Sequence, residues 1–212
     1  MTILMGMAVY PPEGKPYALM VADSMSSQLV YSYNQHSGEH EVSGTEYKEN
    51  VKKLHRFNDN FIIGFEGMLV GDIHHKTIDR LHGLIDPGED LNAIHKKVVD
   101  LIVDTFPEGS SLDAQYSVIM CGFIEGIPSL NQTIFRNNKI IQSIIQKPNK
   151  ASFKPIFDPQ TTVEMIDRFR SKVLQYDSKN LSLFRKALVE LAKDTSKLST
   201  GSNDKIKVER LR

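Results

Sequence analysis

One cysteine in 212 residues leaves no partner for a disulfide within the chain. That excludes a disulfide-stapled scaffold and fits a reducing compartment. The residue, Cys121, lies in the apolar run YSVIMCGF and reads as a small buried hydrophobe rather than a reactive thiol. Charge of one sign is missing too, with 26 Lys+Arg against 26 Asp+Glu. No basic block is long enough to track a phosphate backbone, so no nucleic-acid partner is expected. No apolar run approaches the ~20 residues that cross a bilayer, and the start of the chain lacks the basic segment, apolar stretch and cleavage site of a secretory signal. The expectation is a cytoplasmic protein with no membrane partner. No internal repeat, low-complexity tract or linker divides the chain, which is read as one domain over residues 1–212. GMLVGD is not a phosphate loop. His74, His75 and His82 with Asp72 invite a metal reading, but consecutive histidines on a helix point about 100° apart. Neither a metal nor a cofactor is expected.

What is present is ordinary for a globular domain: 40% hydrophobic and 25% charged residues. The first third reads as strands. ILMGMAV and YALMVAD are short apolar runs around the turn-forming PPEGKP. QLVYSYN and EHEVSG form a hairpin around His36-Ser37-Gly38, and KKLHRF and FIIGFEG form another around Asn58-Asp59-Asn60. From Val70 to Ile85 the apolar spacing becomes helical. Pro87-Gly88 breaks the chain, and Asp90 caps a second helix reaching Phe106, with Leu91, Ile94, Val98 and Leu101/Ile102 on one face. Strands return with AQYSVIMCGF, SLNQTIF and KIIQSIIQ, the last two joined at Asn137-Asn138. A loop containing Pro148, Pro155 and Pro159 leads to helices VEMIDRFRSKVL and LSLFRKALVELAKD, and DKIKVERL closes the chain as a strand. Strands, two helices, strands, two helices and a strand predict an α+β fold, a four-layer α-β-β-α sandwich in which each sheet is covered by the other sheet and by a helix pair.

Four stretches carry a family resemblance. Thr2 opens a strand, and VADS (Val21 to Ser24) is similar to AADS or AGDG at the end of the family's second strand. NVKKL (Asn50 to Leu54) is similar to NVKKI, and GFEG (Gly64 to Gly67) to GFAG at the usual interval. Together they resemble the proteasome β-subunits and bacterial proteasome-like peptidases, which are N-terminal-nucleophile threonine hydrolases. The resemblance runs the whole chain in order of elements, but at the level of motifs it ends near Phe123.

The resemblance implies peptide-bond hydrolysis by Thr2 after removal of Met1. A threonine hydroxyl needs a base, and an α-amino group titrating near pH ~8 can be that base only when it is not part of a peptide bond. Lys53 would be the ammonium beside the hydroxyl, Asp23 would hold Lys53 by a charge-assisted hydrogen bond, and the Gly67 N–H would hold the oxyanion. Phe65 and Leu69 would flank an apolar pocket for the residue before the cut. The implied partners are an unfolded polypeptide or peptide substrate, further copies of the chain in a ring or spiral homo-oligomer, and a separate ATP-driven AAA+ unfoldase.

The sequence also departs from the family. The Thr2–Asp23 and Asp23–Lys53 stretches are longer than usual, with the excess in the YPPEGKP turn and around Gly38. The GSG before the third helix, whose serine bonds the amine, is replaced by PIFDPQTT, where Asp158 or Thr161 offers an oxygen. The late Asp-x-x-Ser is not clean, since Asp194 is followed by Ser196 and Ser199 at altered spacing. A catalytically inactive subunit that serves as a scaffold is therefore the second expectation.

Overall fold

The computed structural model describes residues 3–34, 38–57, 59–67, 73–86, 88–105, 115–137, 139–175, 181–199 and 202–212. In chain order the described elements are β1 (Leu4–Tyr10), β2 (Tyr17–Ala22), β3 (Ser26–Asn34), β4 (Glu39–Lys48), β5 (Leu54–Phe57), β6 (Phe61–Gly67), α1 (Ile73–Leu81), α2 (Leu91–Thr105), β7 (Gln115–Ile124), β8 (Ile127–Arg136), β9 (Lys139–Gln146), β10 (Ser152–Ile156), α3 (Val163–Gln175), α4 (Leu181–Ser196) and β11 (Lys207–Leu211). Asp90 caps α2, its Oδ1 accepting the Ala93 N–H at 3.0 Å.

β1 and β2 are apolar at successive positions because both of their faces are covered. On β1 and β2, Met5, Met7, Val9, Leu19 and Val21 pack with Phe169 and Val173 of α3 and with Phe184 and Leu188 of α4. The alternate residues Leu4, Ala8, Ala18 and Met20 meet Leu54, Ile62, Ile119 and Leu130 of the neighbouring sheet. On that sheet's other face Phe61, Ile63, Val118 and Met120 lie under Ile78 and Leu81 of α1 and under Ile94, Val98 and Ile102 of α2. Gly64 lets β1 approach closely, since a Cβ there would stand 2.8 Å from Leu4 Cδ1. Cys121 is fully buried between the sheets, and burial pushes its thiol pKa up.

The expected four-layer α-β-β-α sandwich of the α+β class requires correction. The described strands form three antiparallel sheets rather than two, in the orders β10-β1-β2-β11, β3-β4 and β5-β6-β7-β8-β9, and four described helices accompany them in a mixed α/β chain. The physical reason lies in β4. EHEVSGTEYK has too few apolar residues to build a buried face, and its Val42 and Tyr47 are both exposed. The hairpin therefore stands as its own two-stranded sheet instead of joining either of the others.

A second difference is β10, which lies where the prolines predict a loop. Ser152–Ile156 pairs antiparallel with β1, with Pro155 opposite Met7. A strand at the sheet edge tolerates a residue without an N–H. Among the described residues no helix is long and apolar enough to cross a membrane.

Candidate active site

Asp23 follows the last residue of β2, and strand pairing sets it against the start of β1. Its N–H donates to Ile3 O at 3.2 Å, and the Ile3 N–H donates to its Oδ1 at 2.8 Å. The other carboxylate oxygen accepts the N–H groups of Met25 (3.0 Å) and Asn203 (3.3 Å). The Val51 N–H donates to Ser24 O at 2.9 Å, closing the base of the β3–β4 hairpin and bringing the residues after it back beside β2. Lys53 is thereby delivered to the site, with its Nζ 2.7 Å from Asp23 Oδ1. The Asp23 side chain is fully buried and the Lys53 side chain is 7% exposed. A buried ion pair is tolerable only when the remaining lone pairs are also satisfied, and here backbone donors satisfy them. Burial lowers the Lys53 pKa below the usual lysine range, against the pull of Asp23 and Asp158.

Asp158 completes the charge arrangement. It lies just after β10, where its Oδ2 accepts the Leu4 N–H (3.3 Å) and its Oδ1 the Gln160 N–H (2.9 Å). Burial, reinforced by the negative charge of Asp23, raises its pKa, while its own backbone bonds and Lys53 pull the other way. Two carboxyl groups and one ammonium thus surround the first residues of β1. Thr161 is turned away from them, with its hydroxyl 3.3 Å from that of Thr195 on α4.

The late Asp-x-x-Ser does not reach Asp23. Asp194 pairs with Lys197 at 2.7 Å and Arg168 at 3.8 Å, and the Ser196 hydroxyl donates to Lys193 O. Asn203 stands at Asp23 instead, its side-chain oxygen accepting the Ser24 N–H at 3.3 Å. Its proximity could not be read from the sequence, because it lies 180 residues from Asp23 in an irregular segment before β11.

Gly67 ends β6 with φ +98°, and a Cβ there would meet Gln115 O at 2.6 Å and Tyr116 Cα at 2.7 Å. Both the conformation and the space admit glycine alone. Phe65 is 4% exposed and packs in the cluster beneath α1 and α2, its ring centroid 6.2 Å from that of His74. Thr2 and Leu69 lie outside the described residues.

Sequence reasoning passed over Glu66, although alternation along FIIGFEG puts it on the inward face with Ile62 and Gly64. Its Oε1 accepts the Ser117 hydroxyl at 2.6 Å, and its Oε2 is buried with no hydrogen-bond partner. Burial pushes its pKa up to about 8, with the Asp158 charge adding to the rise and the Ser117 bond opposing it. Between the ordinary value of 4.5 and about 8 the folded chain holds a proton that the unfolded chain has lost. Stability from this carboxyl is therefore present at acid pH and lost as pH rises toward 8. Glu66→Gln should remove that slope: relative to wild type, its melting temperature should gain about 5 °C between pH ~5 and pH ~8.5. Parallel melting curves would contradict it.

Elsewhere, burial and the charges of Lys52, His74 and His75 hold His55 down near 4. Among the described residues no three His, Cys, Asp or Glu side chains converge as metal ligands.

By sequence the chain matches no family model and no curated protein. By structure it is similar to the Anbu complex from Pseudomonas aeruginosa, described as a helical assembly, at 11% identity and a TM-score of 0.57 over 98% of this chain and 81% of that one. It is likewise similar to Anbu (ancestral beta-subunit) from Yersinia bercovieri, at 11% identity and a TM-score of 0.55 over 97% and 81%. Eukaryotic HslV from Trypanosoma brucei aligns with 100% of this chain and 99% of its own at 19% identity, with a TM-score of 0.49. The likeness to Anbu gives the chain a proteasome-related fold.

Proposed function

We propose that this chain is a threonine-type endopeptidase subunit of a proteasome-like assembly, a single domain whose nucleophile is Thr2 once Met1 has been removed. The observation that carries the reading is the buried Lys53–Asp23 pair, whose carboxylate also holds the amide of Ile3, the residue bonded directly to Thr2. In this reading the Thr2 amine takes the hydroxyl proton as Oγ attacks the substrate carbonyl. Lys53 stabilises the developing alkoxide, and the Gly67 N–H stabilises the oxyanion. The proton passes to the leaving amine, and water then hydrolyses the ester and frees Thr2. In this reading Phe65 and Leu69 flank the pocket for the residue before the cut. The substrate is an unfolded polypeptide, delivered by an ATP-driven unfoldase to sites sheltered within a homo-oligomer.

A second reading, a scaffold subunit without catalysis, is favoured by one observation: the Asp194 and Ser196 side chains are engaged away from Asp23. Intact mass comes first, because retained Met1 would end the catalytic reading. With Met1 gone, a peptide epoxyketone or β-lactone should label Thr2 covalently, and Thr2→Ala should lose both the label and the peptidase activity. An unlabelled Thr2 in correctly processed protein would leave the scaffold reading standing.

A further inference from the structure

Charge is balanced over the whole chain but not along it. Residues 16–47 contain Asp23, Glu39, Glu41 and Glu46 and no Lys or Arg, whereas residues 126–157 contain Arg136, Lys139, Lys147, Lys150 and Lys154 and no Asp or Glu. The first stretch includes all of the β3–β4 hairpin except its last residue, Lys48, and the second includes β9. Both end in open strand edges: β3–β4 is a two-stranded sheet, and β9 is the last strand of the five-stranded one. Both also expose large apolar side chains. Tyr33, Val42 and Tyr47 of the hairpin are 59%, 56% and 52% exposed, and Ile140, Ile141 and Ile145 of β9 are 48%, 54% and 51% exposed. A long exposed apolar edge strand invites another chain to pair with it.

Topology sets the two surfaces apart. The hairpin leads into β5, which forms one edge of the five-stranded sheet, while β9 forms the opposite edge. Each surface has charge of its own sign near either end. Glu39 opens β4 and Glu46 stands near its end, while Lys139 opens β9 and Lys147 directly follows it. Like surfaces would repel, so the hairpin does not suit a second hairpin, nor β9 a second β9.

We infer that the acidic β3–β4 hairpin of one copy docks on the basic β9 edge of the next copy of this chain. The contact is head-to-tail, with the Ile residues of β9 covered by Val42, Tyr33 and Tyr47 and with the basic strand drawn to the acidic one. Contacts of this kind propagate around a closed ring or along an open helix and do not stop at a dimer. The inference rests on the homo-oligomer in the proposed function and is independent of its chemistry.

Sedimentation velocity on the full chain tests it. The wild type should sediment well above the 24.0 kDa monomer, and the concentration for half-dissociation should rise about tenfold between low and 0.5 M salt. Lys139→Glu with Lys147→Glu, and separately Glu39→Lys with Glu46→Lys, should each give monomers with unchanged circular dichroism. Mixing the two variants should restore the assembly, because each then offers the other a complementary edge; variants that had merely misfolded would not reassemble. A monomeric wild type, charge-reversed variants that remain assembled, or a mixture that stays monomeric would each overturn the docking. Met1 processing and Thr2 labelling, measured on the same samples, report on the peptidase reading separately.

Discussion

Asp23→Ala should lower the unfolding temperature by about 10 °C, the largest stability effect expected of any single substitution at this site. The carboxylate is fully buried and accepts the N–H groups of Ile3, Met25 and Asn203 as well as the Lys53 ammonium. Truncation strands a buried cation and leaves three backbone donors unsatisfied at once. Breaking one partner out of a buried pair costs about 3–5 kcal/mol, and a chain of this size loses about 2–4 °C per kcal/mol. Asp23→Asn keeps the shape and one acceptor oxygen, so it should fall between wild type and the alanine variant. Calorimetry of the three proteins decides the matter. An asparagine variant as stable as wild type would mean that the charge itself contributes nothing.

Lys53→Ala should have the largest effect on chemistry: loss of covalent labelling at Thr2 by at least about a thousandfold, with the assembly intact. Its stability cost should be smaller than that of Asp23→Ala, because the carboxylate keeps its three backbone donors. Lys53→Arg should not restore labelling. The 2.7 Å contact is made by a compact ammonium in a buried space, and a planar guanidinium differs in both shape and hydration. Time courses of probe incorporation followed by mass spectrometry give the ratio directly. Labelling that persists in Lys53→Ala would remove the role proposed for this residue.

Much of this was legible in the sequence because the apolar runs are strong and their periods differ. The helical spacing through Ile78 and Leu81, and the strand ILMGMAV, follow from burial on one face and on two faces respectively. Asp23 and Lys53 were legible as a pair only through motifs, since thirty residues separate them and no local pattern joins them. Other features were hidden for particular reasons. Pro155 disguised an edge strand as loop. The hairpin's standing as a separate sheet was hidden because alternation reveals strands but not which sheet receives them. In the sequence Asp158 offers only an oxygen, and its position against Leu4 depends on the pairing of β10 with β1. Glu66 and Asn203 act through tertiary neighbours that sequence spacing does not encode.

The hydrogen bond from Val51 to Ser24 makes the β3–β4 segment an excursion that leaves and returns at one point, with Asp23 just before its departure and Lys53 just after its return. Its length is therefore mechanically decoupled from the Lys53–Asp23 pair, much as a handle can be lengthened without altering the lock. In the proposed docking, variation in the reach of this arm would change which neighbour it can grasp, and so the curvature of the assembly, while the ammonium and carboxylate at its root kept their separation.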